Sequence, residues 1–287
     1  MSDALEIKGL IKRFPGFRLN SISLTLPTGY IMGFCGQNGA GKTTTIRLIM
    51  NMTKRDAGTI TVLGHDNIDD ELAVKQEVSV VFDDVTMIDT WPIRDVEKAI
   101  RPFYTEWDSE AFNNYLKRFE LPLERKISAL SRGMKLKLSM AVALSHNAKL
   151  LILDEPTSGL DPVARDELLE ILREYIADGT RSVFFSTHIT SDLDKVADYI
   201  AMIHRGHIFY SGTKDGLMEA FVLVRGNPNE LTDALKGAMF GLTIGHMDFS
   251  GLLPSGQRNL LSPQMVADQP SIDDILVYIA REDRHYE

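Results

Sequence analysis

The octapeptide Gly36-Gln37-Asn38-Gly39-Ala40-Gly41-Lys42-Thr43 constrains this chain more than any other stretch. It fits G-x-x-x-x-G-K-[ST], follows the apolar run Tyr30 to Cys35, and leads into the helix-like segment Thr45 to Met50. Glycines let the backbone curl until several N–H groups face one anion, and a helix N-terminus adds partial positive charge. The pattern points to a nucleotide cradle running from Gly36 to Thr44. Lys42 would reach the β- and γ-phosphates, and the Thr43 hydroxyl would ligate Mg²⁺. A plain Gly-rich turn is the alternative, which the strand–loop–helix context disfavours.

A second cluster lies downstream, where the apolar run Leu150 to Leu153 ends in Asp154-Glu155. Side chains alternate along a strand, so adjacent acids at its end can serve separate roles. Asp154 would hold Mg²⁺, directly or through water, while Glu155 would orient and deprotonate an attacking water. By themselves the two acids would read as an exposed turn before Pro156. The phosphate loop upstream makes that the weaker reading.

The formal net charge is −9 over 287 residues. Such a chain has no general attraction for nucleic acid or anionic lipid, so a phosphate ligand must be held locally. The length suits one large domain with a small appendage. Cys35 is the only cysteine, which excludes an intrachain disulfide, and its apolar neighbours Ile31 to Phe34 suggest buried packing rather than catalysis. The N-terminus shows neither a basic region nor an apolar signal core, and no apolar run approaches the roughly 20 residues of a spanning helix. The expectation is a chain soluble by itself.

Hydrophobic periodicity divides the chain. Leu5–Leu10, Ser21–Leu26, Tyr30–Cys35, Gly58–Leu63 and Val78–Phe82 read as strands. From about 86 to 146 the pattern is helical: Ala111, Phe112, Tyr115, Leu116 and Phe119 follow a candidate N-cap at Asp108, and Ser131 is placed to cap a further helix. Leu150–Leu153 and Ser182–Ser186 look like buried parallel strands around the helical pattern Pro162–Ile176. A closing hairpin is expected about Arg205-Gly206. Beyond residue 221 a strand (Phe221–Val224), a helix (Asn229–Lys236), an irregular Gly- and Pro-containing stretch and a last helix (Ile272–Arg281) suggest a small α+β segment.

These residues resemble the nucleotide-binding domain of ATP-binding-cassette (ABC) proteins over roughly residues 5 to 215. The family signature, usually L-S-G-G-Q, reads here Leu130-Ser131-Arg132-Gly133-Met134. Ser131 and Gly133 match, whereas Arg132 and Met134 depart. Ser158-Gly159-Leu160-Asp161 looks like the D-loop, Ser186-Thr187-His188 like the switch segment with a γ-phosphate-sensing His188, and Phe14 like the aromatic that stacks on adenine. Where the family places a Gln after the strand read at Val78–Phe82, the chain offers Asp83-Asp84; Asp83 takes that position as a candidate metal contact.

The resemblance implies an α/β P-loop NTPase fold of ABC type, a mixed-sheet core plus helical subdomain over residues 1–220, with an accessory segment at 221–287. It further implies Mg²⁺-dependent ATP hydrolysis by two copies, or one copy and a paralogue, that sandwich ATP between one subunit's loop and the other's Ser131–Gly133. A separate transmembrane permease would dock on the helical region, with Trp91, Ile93, Tyr104 and Trp107 as candidate contacts or simply internal packing. The chain would then sit in the cytoplasm against the inner face of the cell membrane. The signature variant and C-terminal segment look like bacterial peptide, toxin or antibiotic exporters. The rival class is a soluble cassette ATPase acting on nucleic acid, ribosomes or assembly, and the third is a nucleotide-binding regulator without turnover.

Overall fold

The computed structural model describes residues 3–83 and 87–282; Asp84, named above beside Asp83, lies outside them. Contacts divide the chain into two units, 1–211 and 212–287. The boundary falls some nine residues before the one expected from sequence, because the helix Lys214–Ala220 belongs with the second unit.

The first unit opens with a hairpin of β1 (Asp3–Phe14) and β2 (Phe17–Pro27), in which Phe14 pairs with Phe17 across a turn carrying Gly16 at φ +79°. Along β2, Leu19, Ile22, Leu24 and Leu26 are buried while Ser21, Ser23 and Thr25 face solvent, the alternation of a sheet covered on one side. With β4 (Ala57–Val62) and β5 (His65–Asp66) they form an antiparallel sheet in the order β2-β1-β4-β5.

The second sheet runs β10-β9-β3-β8-β7-β6. Its strands are β3 (Ile31–Cys35), β6 (Val78–Val81), β7 (Leu150–Asp154), β8 (Ser182–Thr187), β9 (Tyr199–His204) and, on the edge, β10 (His207–Thr213). From β9 through β6 every pairing is parallel. Strands β3, β7 and β8 are buried at every residue, which explains why they read as continuous apolar runs rather than alternating ones. The intervening helices are α1 (Lys42–Ile49), α2 (Glu71–Glu77), α6 (Pro162–Ile176) and α7 (Thr190–Val196).

Between β6 and β7 lie α3 (Val96–Ile100), α4 (Ser109–Arg118) and α5 (Arg132–Ala143). Both expected caps form. Asp108 accepts the Ala111 N–H at 2.9 Å, and Ser131 Oγ accepts the Met134 N–H at 3.2 Å.

The second unit has its own core of Val222, Val224, Leu231, Leu235, Met239, Phe249 and Leu253. It contains α8 (Lys214–Ala220), β11 (Phe221–Gly226), α9 (Asp233–Ala238), β12 (Phe240–Ile244), β13 (Phe249–Pro254), β14 (Val266–Asp268) and α10 (Ile272–Glu282). Its antiparallel sheet has the order β12-β13-β11-β14. The stretch expected to be irregular therefore supplies three strands. Their apolar pattern is interrupted by Gly241, which takes φ +58°, and by Gly251, while β14 is exposed throughout. The helix expected at Asn229–Lys236 starts at Asp233, after a separate turn at Pro228–Glu230.

Candidate nucleotide-binding site

Parallel strands deliver their C-terminal ends to one edge, where open α/β sheets bind ligands. Here β3, β8 and β7 are neighbours, and Cys35 pairs with Thr187 while Asp154 pairs with Ser186. The phosphate-loop motif, the paired acids and His188, far apart in the sequence, thereby leave the sheet side by side.

The loop needs glycine for two different reasons. A Cβ on Gly36 would lie 2.2 Å from the Ile203 carbonyl oxygen, so only glycine permits that close approach of β3 to β9. Gly41 stands before α1 at φ +117°, and a Cβ there would meet Leu19 Cδ2 at 2.5 Å. No side chain caps α1, which leaves its first N–H groups as the donors of the cradle. Gln37, Asn38 and Gly39 are exposed, and Ala40 is tied down by its N–H to Gln37 O at 3.1 Å. An open cleft of about 480 Å³ runs along Gln37–Ala40 to Gly16 and Phe17 in the β1–β2 turn.

Lys42 is 6% exposed. Its ammonium donates to Gly36 O at 2.8 Å and Gln37 O at 3.3 Å, and lies 3.0 Å from Glu155 Oε1. The other Glu155 oxygen stands 2.7 Å from His188 Nδ1 and accepts the His188 N–H at 3.3 Å. Lys42, Glu155 and His188 thus form one chain of contacts. Glu155 holds a left-handed backbone at φ +51°, an uncommon conformation for a non-glycine residue that costs of order 1–3 kcal/mol and is fixed by its surroundings. Its N–H donates to both the carbonyl and the hydroxyl of Ser186, each at 3.1 Å.

The sequence marks Ser186 only as a strand end and part of the switch segment, but its hydroxyl also donates to Asp154 Oδ1 at 2.6 Å. One buried hydroxyl therefore positions both acids. Its signal was a pair of polar residues, Ser186-Thr187, ending an apolar strand. Asp192 is a second residue that sequence reasoning missed. It is 1% exposed, accepts from Thr157 Oγ1 at 2.6 Å and pairs with Arg165, so it ties the turn after Glu155 to the helix after His188. A carboxylate inside a short amphipathic helix gives no such signal.

Donor chemistry fits a hard cation that keeps several water and phosphate ligands: the half-buried Thr43 hydroxyl and the buried Asp154 carboxylate are oxygen donors at this edge. No cluster of three or more His, Cys, Asp or Glu exists among the described residues, so an all-protein metal cage is not built here. Asp83, expected as a metal contact, instead pairs its carboxylate with the Arg132 guanidinium.

The remaining candidates lie apart from this cluster. Phe14 is 42% exposed at the end of β1, with Lys12 Nζ 5.4 Å from its ring centre and Phe17 stacked at 6.5 Å. Ser131 and Gly133 begin α5, the first exposed and the second half-buried. Asp161 caps α6 by accepting the Val163 and Ala164 N–H groups, and the Ala164 bond above all holds its carboxyl below the usual carboxylate range. Of the proposed docking residues, Ile93 is fully buried, Tyr104 stacks on His146 at 3.8 Å, and Trp107 Nε1 donates to Glu97 at 3.0 Å. Trp91 is half-buried. Internal packing accounts for Ile93, Tyr104 and Trp107.

The family model "ABC transporter" matches residues 19–158. The Nod factor export ATP-binding protein I of Rhizobium sp. (strain N33) is 31% identical over 260 residues, covering 81% of this chain and 80% of that one. The ABC transporter ATP-binding protein NatA of Bacillus subtilis (strain 168) is 32% identical over 211 residues, covering 70% and 84%. Among solved structures, an ATP-binding subunit of an ABC transporter superposes with a TM-score of 0.69 at 25% identity, over 75% of this chain and 91% of that one. The chain belongs to the ATP-binding proteins of ABC transporters, ATPases whose ATP hydrolysis drives transport.

Proposed function

We propose that this chain is the motor subunit of a bacterial exporter, and that Glu155 is the base that activates water against ATP held by the Gly36–Thr44 loop. The observation that carries the reading is the Lys42–Glu155–His188 chain of contacts at the carboxyl edge of the sheet. In the free subunit Lys42 is paired with Glu155. An arriving triphosphate is the stronger partner for an ammonium, because it offers several charged oxygens in the mouth of the loop. Lys42 then shifts to the phosphates, and Glu155 keeps only His188 and is released to accept a proton from water. His188, held by both its backbone and its ring, fixes the direction of that carboxylate.

Mg²⁺ held by Thr43 and Asp154 would offset the charge on the phosphates. Ser186 keeps Asp154 in place for that task through its 2.6 Å hydrogen bond. Phe14 offers an exposed ring for the adenine, where stacking is worth about 1–3 kcal/mol by analogy with other base-stacking platforms.

Two copies, or one copy and a paralogue, form the working unit, with Ser131, Gly133 and Asp161 of one facing the ATP of the other. No described helix is long and apolar enough to cross a membrane. In this reading a separate permease supplies the transport path, and the chain docks on it at the inner face of the cell membrane. Relatives named for Nod factor export support an exporter; a peptide, toxin or antibiotic is the cargo class proposed here. The net charge of −9 disfavours a nucleic-acid partner. The test is affinity purification from membranes of the native host. Recovery of a polytopic membrane protein that stimulates phosphate release supports the reading; recovery of RNA or ribosomes in its place overturns it.

A further inference from the structure

Asp83 and Arg132 meet although 49 positions separate them in sequence. Their side chains are 50% and 52% exposed. The same guanidinium runs along the turn after Glu155: a Cβ placed on Gly159 would lie 3.2 Å from Arg132 Nη1. Three segments converge on one cation, namely the exit of β6, the first residue of α5 and the turn after Glu155. Arg132 makes no hydrogen bond or ion pair with its own Gly36–Thr43 loop among the described residues.

An ion pair this accessible to water is a weak hold. A guanidinium fits two oxygens of a phosphate in the same forked geometry it uses on a carboxylate, and a triphosphate carries several charges where Asp83 carries one. Arg132 also begins α5, whose N-terminus favours an anion. Asp83 is thus a partner from which a triphosphate can take Arg132.

We propose that Arg132 is a triphosphate-binding residue held in reserve by Asp83. In the free subunit the ion pair parks the guanidinium; in the assembled pair the triphosphate in the second copy's loop draws it away. The inference rests on the sandwich arrangement proposed above and adds to it a cation that one subunit gives to the other. It also gives two of the departures from the family pattern, Asp83 and Arg132, a single explanation. The acid at the first position exists to hold the base at the second.

The test is nucleotide-driven self-association of the full chain, followed by sedimentation in Mg²⁺ and increasing ATP, with Glu155→Gln throughout to block turnover. Arg132→Ala raises the ATP midpoint about fivefold or more, whereas Asp83→Asn lowers it about two- to fivefold by removing the competing partner. The exchanged pair Asp83→Arg with Arg132→Asp can rebuild the ion pair but leaves an acid at position 132, so it behaves like Arg132→Ala. Recovery of the unexchanged midpoint by this double variant would show a mere structural strut and overturn the inference. So would equal weakening by Arg132→Ala of ATP binding to the unassociated subunit, since the triphosphate read would then be its own. Absence of any ATP-driven association refutes the sandwich along with the inference; association with unshifted midpoints refutes the role of Arg132 alone.

Discussion

Lys42 Nζ stands 3.0 Å from Glu155 Oε1, and the two side chains are 6% and 15% exposed. Each is therefore the other's main compensation in the free subunit. Burying either charge alone is expensive, so the pair ties the stability of the free site to the residues that perform the chemistry.

Replacing Lys42 by Met should weaken ATP binding by at least about tenfold, since a charge-assisted contact to the phosphates is lost. It should also destabilise the ligand-free protein by roughly 1–3 kcal/mol, because Glu155 keeps only His188. Nucleotide titration and urea unfolding on one preparation check both parts. Weaker binding without lower stability would show that the ion pair contributes nothing in the free state.

Ser186→Ala removes the one hydroxyl shared by Asp154 and the Glu155 N–H. The buried Asp154 loses its donor, for which about 1–3 kcal/mol of destabilisation is expected. The Mg²⁺ concentration for half-maximal turnover should rise as well. An unchanged Mg²⁺ profile would confine Ser186 to a stabilising role.

Cys35 is fully buried beside the loop, and burial pushes its thiol up to about 12. The thiolate is the reactive form, so native protein should resist iodoacetamide at pH 8 and label only on unfolding. Mass spectrometry of the labelled chain reads this directly. Rapid native labelling would place Cys35 in contact with solvent.

His146 is 2% exposed, lies 2.5 Å from Ser79 Oγ through Nε2, and has its pKa pushed down by burial from 6.5 to about 4. A depressed histidine pKa means that the unfolded chain takes up a proton in a range where the folded one does not. Its contribution to stability is present above about pH 6.5 and is lost as pH falls from there toward 4. Denaturant midpoints at pH 7.5 and 5 should therefore differ more for the unmodified protein than for His146→Asn. Equal differences would exclude His146 as the source.

The parts of the site that sequence reveals are those that local chemistry demands. The cradle must have its glycines, and β7 must be apolar because both its faces are covered, which leaves Asp154-Glu155 conspicuous at its end. What sequence hides depends on the fold bringing distant segments together. The Ser186 bridge requires β7 beside β8, and the Asp83–Arg132 pair requires the exit of β6 beside the start of α5. The second unit is less legible still, because glycines break the strand pattern of β12 and β13 and β14 has no buried residue.

The most direct measurement is phosphate release under saturating ATP and Mg²⁺ by the unmodified chain and by Glu155→Gln, with ATP binding measured on both. If Glu155 is the base, the substitution slows release by about 10²–10⁴-fold while ATP binding persists. Near-normal release by Glu155→Gln, or no ATP binding by the unmodified chain at millimolar concentration, would contradict the account.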